Sequence, residues 1–440
     1  MTLMHLQQGD SGRDRTGAPP PAALAAAAGA DVQRWIASIF DYLPSPLVAL
    51  PTLAARLGVG AVHVKDEGAR LGLRSFKALG GAYAVIRLVC EAAARLGPPV
   101  RPQDLPRAAS GSLDLVDGPA VKPEAPGSAA FRKAAQGMTF ACATDGNHGQ
   151  SVAAGARLVG ARAVIFVHQG VSQRRRDAIA RFGAEIREVR GSYDDAVAQA
   201  LVQADAHRWT LLSDTSWPGY EEIPTLVMQG YTLITHEAAQ QLRSPPTHVF
   251  LQAGVGGFAA ALAASMADQW RQAPPRFIVV EPDRAACLLV SAQQGRRVRI
   301  AAGEETLMSM LECYEPSLSA WELLAARASA FMAVSDADAV AAMRTLALEL
   351  TPEETVLAGE SGAAGLAGLL AAAGDAAARR DLGLDADSRV LLVNTESATD
   401  EARYLELVGA APADITRRIA GRTPAPAHPS TFSLEKAMQP

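Results

Sequence analysis

Lys77 stands in the run Ser75-Phe76-Lys77-Ala78-Leu79-Gly80-Gly81-Ala82-Tyr83. A primary amine at the start of a helix, with glycines one turn later, can lie close to a planar group. It can also condense with an aldehyde to a Schiff base. Taken alone, a lysine reads as a solvated surface charge, because few lysines are buried. Two later segments change that reading. Thr144-Asp145-Gly146-Asn147-His148-Gly149 sits between an apolar run and a helical pattern. Its backbone amides, with Thr144, could hold a carboxylate, and Asn147 could donate to a phenolic oxygen. The plainer reading is an N-capping turn, in which His148 only supports the loop. Gly254-Val255-Gly256-Gly257 likewise follows a strand-like run and opens a helix. Glycines there let N–H groups approach a phosphate, and a helix N-terminus favours its charge. An aldehyde-binding amine, a phenol-binding amide and a phosphate turn together describe a site for pyridoxal phosphate (PLP).

The glycine turn has a rival reading. Gly254, Gly256 and Ala259 fit GxGxxA, and Glu281 ends the next strand at about the ribose-binding spacing of a dinucleotide fold. An NAD-dependent oxidoreductase built that way leaves Lys77 and the Asn147 segment unexplained, so PLP is the preferred reading. Asp214 follows another apolar strand end and precedes Trp217 and Tyr220. A carboxylate in so dry a setting becomes a better base; otherwise it caps a loop. Glu360, in Ala358-Gly359-Glu360-Ser361-Gly362, either faces the same cleft or caps the helix that follows.

The elements that must position these residues alternate. Strands are predicted at residues 62–65, 138–143, 163–167, 185–189, 248–252, 276–280 and 390–393. Helices are predicted at 75–96, 150–159, 172–182 and from 258 onward. Such alternation describes an α/β protein with mostly parallel sheets, in which ligands gather at the carboxyl ends of strands. Thr144, Asp214, Gly254, Glu281 and Asn394 all stand at such ends. Residues 1–30 and 411–440, rich in Ala, Gly and Pro, read as flexible tails, and residues 97–137 as a surface insertion. Between the tails, residues 31–84 and 196–410 are expected to form a large cofactor-binding domain and 85–195 a small one.

At 440 residues the chain can hold two domains and a large core. A net charge of −5 supplies no basic field for nucleic acid or an anionic membrane. No apolar run reaches the length of a membrane span, and no signal-peptide pattern opens the chain. The four cysteines and eight histidines show no ligand spacing. No metal site or disulfide scaffold is therefore expected, and a cytoplasmic location is.

Three segments carry a family resemblance: residues 65–77, Thr144 to Gly149, and Asp214-Thr215-Ser216-Trp217-Pro218-Gly219-Tyr220 with Met228-Gln229-Gly230-Tyr231. Across residues 40–408 the chain resembles the fold-type II PLP enzymes, a group that includes threonine and serine dehydratases, serine racemase and cysteine synthase. Within that group it is similar to the diaminopropionate ammonia-lyases. The resemblance implies two open, twisted, mostly parallel sheets flanked by helices, a homodimer, and β-elimination from a small amino acid, 2,3-diaminopropionate. It implies that Lys77 carries the cofactor, Gly254, Val255, Gly256 and Gly257 bind its phosphate, and Asn147 its ring oxygen. Asp145 would take the proton from the D-substrate and Asp214 from the L-substrate. Thr144, His148, Tyr220 and Glu360 would lie near the substrate. Where the family has Glu-Gly-Asp, this chain has Glu396-Ser397-Ala398, and Thr395 is preferred to Asn394 for the pyridine nitrogen. Serine or threonine dehydratase, amino-acid racemase and a catalytically silent PLP-binding protein remain the alternatives.

Overall fold

Strands covered on both faces need near-continuous apolar sequences. His248–Gln252 is such a run, with all five residues buried. The computed structural model describes residues 2–5, 19–104, 112–113, 128–144 and 146–421. Its strands are β1 (Thr2–His5), β2 (Leu47–Ala49), β3 (Ala61–Asp66), β4 (Thr139–Ala143), β5 (Arg162–His168), β6 (Glu185–Val189), β7 (Thr210–Leu211), β8 (His248–Gln252), β9 (Arg276–Pro282), β10 (Ala328–Val334) and β11 (Arg389–Asn394). They form two sheets. The larger runs β1-β10-β9-β8-β11-β3-β2 and the smaller β6-β5-β4-β7. The smaller is parallel throughout. The larger is parallel except at its edges, where β1 and β2 pair antiparallel with β10 and β3. This is the expected α/β class, with helices packed on the sheets.

The departures lie where composition hid a short pattern. Residues 2–5 do not belong to a tail: β1 aligns Thr2–His5 with Ala330 to Ala333 and closes the edge of the large sheet. Four residues are too few for alternation to stand out. A helix, Ala26–Ile39, begins inside the expected N-terminal tail and buries Val32, Trp35, Ile36 and Ile39. The Ala-rich end of the expected insertion is also a helix, Ser128–Gly137. Phe131, Ala134 and Ala135 form its buried stripe at i, i+3 and i+4. Beyond residue 411, Pro412–Ala420 is helical and buries Ile415; residues 422–440 lie outside the described residues. Thr210–Leu211, assigned to the large domain by sequence, pairs with β4 of the small sheet.

The glycines after Lys77 also have another role than expected. A Cβ on Gly80 would stand 2.6 Å from the Tyr231 ring, and one on Gly81 2.8 Å from Ser151 Oγ. On the facing helix, Glu222–Gln241, a Cβ on Gly230 would fall 1.9 Å from the Leu79 carbonyl oxygen. Gly230 lets its helix meet the Leu79 backbone, and Gly80 and Gly81 make room for Tyr231 and Ser151, so these glycines seat the lysine segment rather than a cofactor.

The charged residues upstream of Lys77 belong to a buried ion network. Arg70 donates to both Glu67 oxygens (2.7 and 2.8 Å) and both Glu237 oxygens (2.8 Å each). Lys65 lies 2.5 Å from Glu237, and none of the four is more than 4% exposed. Burial pushes the Glu237 carboxyl up, but Arg70 and Lys65 outweigh it and hold the group down at about 2. Removing one member leaves uncompensated buried charge. Glu237→Gln is expected to cost about 3–5 kcal/mol in urea denaturation at neutral pH; a loss under about 1 kcal/mol would contradict the network's role. The folded value lies below the ordinary 4.5. This carboxylate's contribution is therefore fully present above that pH and fades as pH falls toward 2.

Candidate active site

Lys77 lies on a strained approach. Leu71 and Arg74 adopt φ of 48° and 57°, a left-handed conformation that costs side-chain-bearing residues energy. Ser75 then caps a short 3₁₀ turn, Phe76–Leu79, its hydroxyl accepting from the Lys77 N–H at 3.3 Å. The Phe76 N–H donates to the Thr395 carbonyl at 3.0 Å, which fastens the turn to the end of β11. The helix Gly81–Ala94 begins only after this turn, so Lys77 precedes a helix rather than starting one.

Asp214 comes from the other sheet, three residues after β7. Its loop is held by a tight turn in which Trp217 and Tyr220 exchange backbone hydrogen bonds and stack at 4.3 Å. The Tyr220 hydroxyl donates to the Leu211 carbonyl at 2.7 Å and accepts from the Ser213 N–H at 3.1 Å. Tyr220 is thus spent on the loop and does not line the cavity. The Lys77 amine and the Asp214 carboxylate form an ion pair. Burial opposes both charges, yet each stabilises the other. The pair holds the amine above and the carboxyl below its ordinary value.

One cavity collects most of the expected residues: Lys77, Thr144, Asn147, His148, Asp214, the turn from Gly254 to Gly257, and Thr395. Asp145 lies outside the described residues. Thr144 Oγ1 accepts the N–H groups of Gly146 and Gly149 at 3.0 and 3.1 Å, so the capping reading holds for it. His148 Nε2 lies 2.9 Å from the Leu212 carbonyl. A carbonyl only accepts, so that nitrogen carries the hydrogen. Burial lowers the ring's pKa and keeps it neutral. Gly256, at φ +96°, caps the helix Gly257–Gln269. A Cβ on Gly254 would stand 2.9 Å from Cys313 Sγ. The first N–H groups of that helix have no intrahelical acceptor. A bare glycine cradle at a helix N-terminus, across the cavity from a lysine amine, fits the phosphate and aldehyde ends of PLP. Thr395 Oγ1 accepts from Gln252 Nε2 at 3.0 Å and lines the cavity. Asn394 points away, donating to Asp66 and the Leu357 carbonyl.

The sequence profile of the pyridoxal-phosphate dependent enzymes matches residues 124–396. The diaminopropionate ammonia-lyase of Escherichia coli K12 is 38% identical over 377 residues, covering 84% of this chain and 88% of the relative. That of Salmonella typhimurium is 37% identical, again over 84% and 88%. The chain belongs to the diaminopropionate ammonia-lyase family of PLP-dependent enzymes. A crystal structure of the E. coli lyase, in complex with an aminoacrylate-PLP azomethine reaction intermediate, superposes with a TM-score of 0.77. It is 34% identical, and the match covers 92% of this chain and 96% of that one. The fold is fold-type II and the cofactor is PLP.

Glu281 and Glu360, like Tyr220, lie apart from this cavity. Glu281 is buried, and its two oxygens accept the N–H groups of Leu288 and Leu289 at 2.8 and 2.7 Å. It caps the helix Cys287–Gln294, so the dinucleotide reading loses its ribose ligand. Glu360 does not line the cavity; it lies 3.5 Å from Arg403, and burial raises its pKa. Tyr231 and Glu396 are among the cavity residues to which the sequence assigns no role. Tyr231 closes the wall, and burial pushes its hydroxyl up to about 12. Glu396 is buried at the end of β11; burial, with Glu360 beside it, pushes its carboxyl up to about 7 against the pull of Arg175. Its place at a strand's carboxyl end was the available signal. Lys77→Ala is expected to abolish the visible absorption band of the PLP-loaded protein. An unchanged band would remove Lys77 from the cofactor site.

Proposed function

We propose that this chain is an ammonia-lyase that converts 2,3-diaminopropionate and water to pyruvate and two ammonia. The observation that carries the reading is the Lys77–Asp214 pair facing the glycine cradle across one cavity. The 38% identity to the E. coli lyase supports the same substrate. PLP, when bound, supplies the electron sink that acidifies the hydrogen on the substrate's α-carbon.

The residues divide the remaining work. Lys77 holds the cofactor until a substrate amine displaces it. While Lys77 is a free ammonium, it keeps Asp214 ionised and weakly basic. Once that charge is committed elsewhere, burial dominates and raises the proton affinity of Asp214. Asp214 is then suited to remove the α-hydrogen of the L-substrate. As the bond from the β-carbon to nitrogen breaks, its electron pair stays on nitrogen; Lys77, released as a neutral amine and able to take over the proton that Asp214 removed, is one candidate to pass it to the departing ammonia. Asp145 takes the opposite face and the D-substrate, on the strength of its motif. Gly254 to Gly257 hold the phosphate, Asn147 the ring oxygen and Thr395 the pyridine nitrogen. A hydroxyl against that nitrogen leaves it unprotonated, which suits elimination over transamination. The Asn147 helix N-terminus receives the substrate carboxylate, and Thr144, whose oxygen caps that helix, can add only its hydroxyl hydrogen.

The cleft would close between a small unit around the four-stranded sheet and a large unit around the seven-stranded one. A cytoplasmic homodimer is the expected setting. Among the described residues, no helix is long and apolar enough to cross a membrane.

The test is pyruvate release by PLP-loaded protein from D- and L-2,3-diaminopropionate, beside L-serine and 2-oxobutyrate release from L-threonine. Turnover of the diamino acids is expected to exceed that of the hydroxy acids; the reverse order would make the chain a dehydratase. Asp145→Asn should cut turnover of the D-substrate, and Asp214→Asn that of the L-substrate, each by a factor of roughly 10² or more. Equal losses on both enantiomers from either change would remove the two-base scheme.

A further inference from the structure

The cavity wall carries a carboxylate for which the reaction above has no use. Glu396 follows the last residue of the large sheet's β11 by two positions and is 4% exposed. Its backbone is gripped from two sides. Ser75, two residues before Lys77, pairs with it in an isolated antiparallel bridge. The Gly359 N–H donates to its carbonyl oxygen at 3.0 Å. A Cβ on Gly362 would stand 2.3 Å from that same oxygen, so the neighbouring loop is pressed against it. The side chain therefore starts from a fixed point. Its Oε2 accepts from Asn147 Nδ2 at 2.6 Å. Asn147 opens the helix Asn147–Val159 behind β4 of the small sheet, so this hydrogen bond spans the cavity from one sheet to the other.

A primary amide has a donating and an accepting end of nearly equal shape. Which end Asn147 offers to the cavity depends on which way the group is turned. The phenolic oxygen of PLP, ionised or sharing its proton with a Schiff-base nitrogen, needs a donor. An ionised carboxylate has no hydrogen and can only accept. Held against Asn147, it admits the NH₂ end and rejects the carbonyl end. One amide hydrogen is then committed to Glu396, and the second, in the same plane, is left for another acceptor. The charged and titratable groups acting on Glu396 are Glu360 and Arg175, and Asn147 and Ser361 hydrogen-bond to it.

We infer that Glu396 is a positioning residue for the cofactor: it turns the Asn147 amide so that the NH₂ group faces the phenolic oxygen of PLP. This rests on the reading that Asn147 meets that oxygen. Glu396 acts through Asn147 and touches no reacting atom. A glutamine at this position could pair with either end of the Asn147 amide and would lose the selection.

The test compares wild type, Glu396→Gln, Asn147→Ala and the double variant, in PLP titrations well above pH 7, where the carboxyl is ionised. Two quantities are read: the PLP dissociation constant, and the pH midpoint of the visible band of the loaded protein. Glu396→Gln is expected to weaken PLP binding roughly three- to tenfold, the size of one hydrogen bond, and to shift the midpoint. Asn147→Ala should do at least as much. In the Asn147→Ala background, Glu396→Gln should add less than about twofold, because its route is gone. An effect of full size in that background, or none in the wild type, would overturn the inference. If Asn147→Ala alone changes neither quantity, the ring-oxygen reading of Asn147 falls and the inference with it. Should Glu396→Gln fold poorly by circular dichroism, Glu396→Asp and Glu396→Asn make the same comparison at equal length. The acceptor-only aspartate should keep the wild-type midpoint and the asparagine should not; identical midpoints would overturn the proposal.

Discussion

A lysine ammonium in a partly dry cleft is costly unless a carboxylate stands against it. In this protein the Lys77 charge is offset by Asp214, which reaches it from a different sheet. Most of the architecture serves that meeting. Lys77 is fastened to the large sheet through the Phe76 N–H and the Thr395 carbonyl. Asp214 is fastened to the small sheet through the Trp217–Tyr220 turn and the Tyr220 hydroxyl. The pair is both an electrostatic tie across the cleft and a store of two opposite protonation preferences. When the amine is engaged by a cofactor, the balance that keeps Asp214 a weak base is removed.

Seating the lysine that closely takes unusual backbone packing. Gly80 and Gly230 bring the lysine turn and the helix Glu222–Gln241 to a separation that no Cβ would allow. Just upstream, Arg70 and Lys65 meet Glu67 and Glu237 out of contact with water. That network joins the approach to Lys77 to the same helix through groups that tolerate little displacement, since each lost partner strands a buried charge. Strain at Leu71 and Arg74 is held between these two anchors.

The chemistry-bearing residues of the cavity were largely legible because each sits in a local pattern. A glycine run after an apolar strand, a Thr-Asp-Gly-Asn turn and an acid at a strand end announce themselves without long-range information. The strand sites followed from the same alternation. Tyr220 and Glu281 were misplaced for one physical reason. Polar groups in loops and at strand ends satisfy either a ligand or the backbone, and local sequence does not say which. In both residues the backbone took the group. β1 and the helix Ser128–Gly137 were missed because four residues, or an alanine stripe, carry little pattern. Both are stabilised by what they pack against.

By itself the sequence determined the α/β class, the cofactor and many of the side chains that line one cavity, since these depend on residue type and spacing over a few turns. Tertiary structure alone decided that Lys77 pairs with Asp214, 137 positions along the chain, and that Glu396 meets Asn147 across 249. It also decided that Gly80 and Gly81 serve helix packing. Such pairings arise where two sheets face each other, and their energy comes from burial and charge that exist only once the cleft has formed.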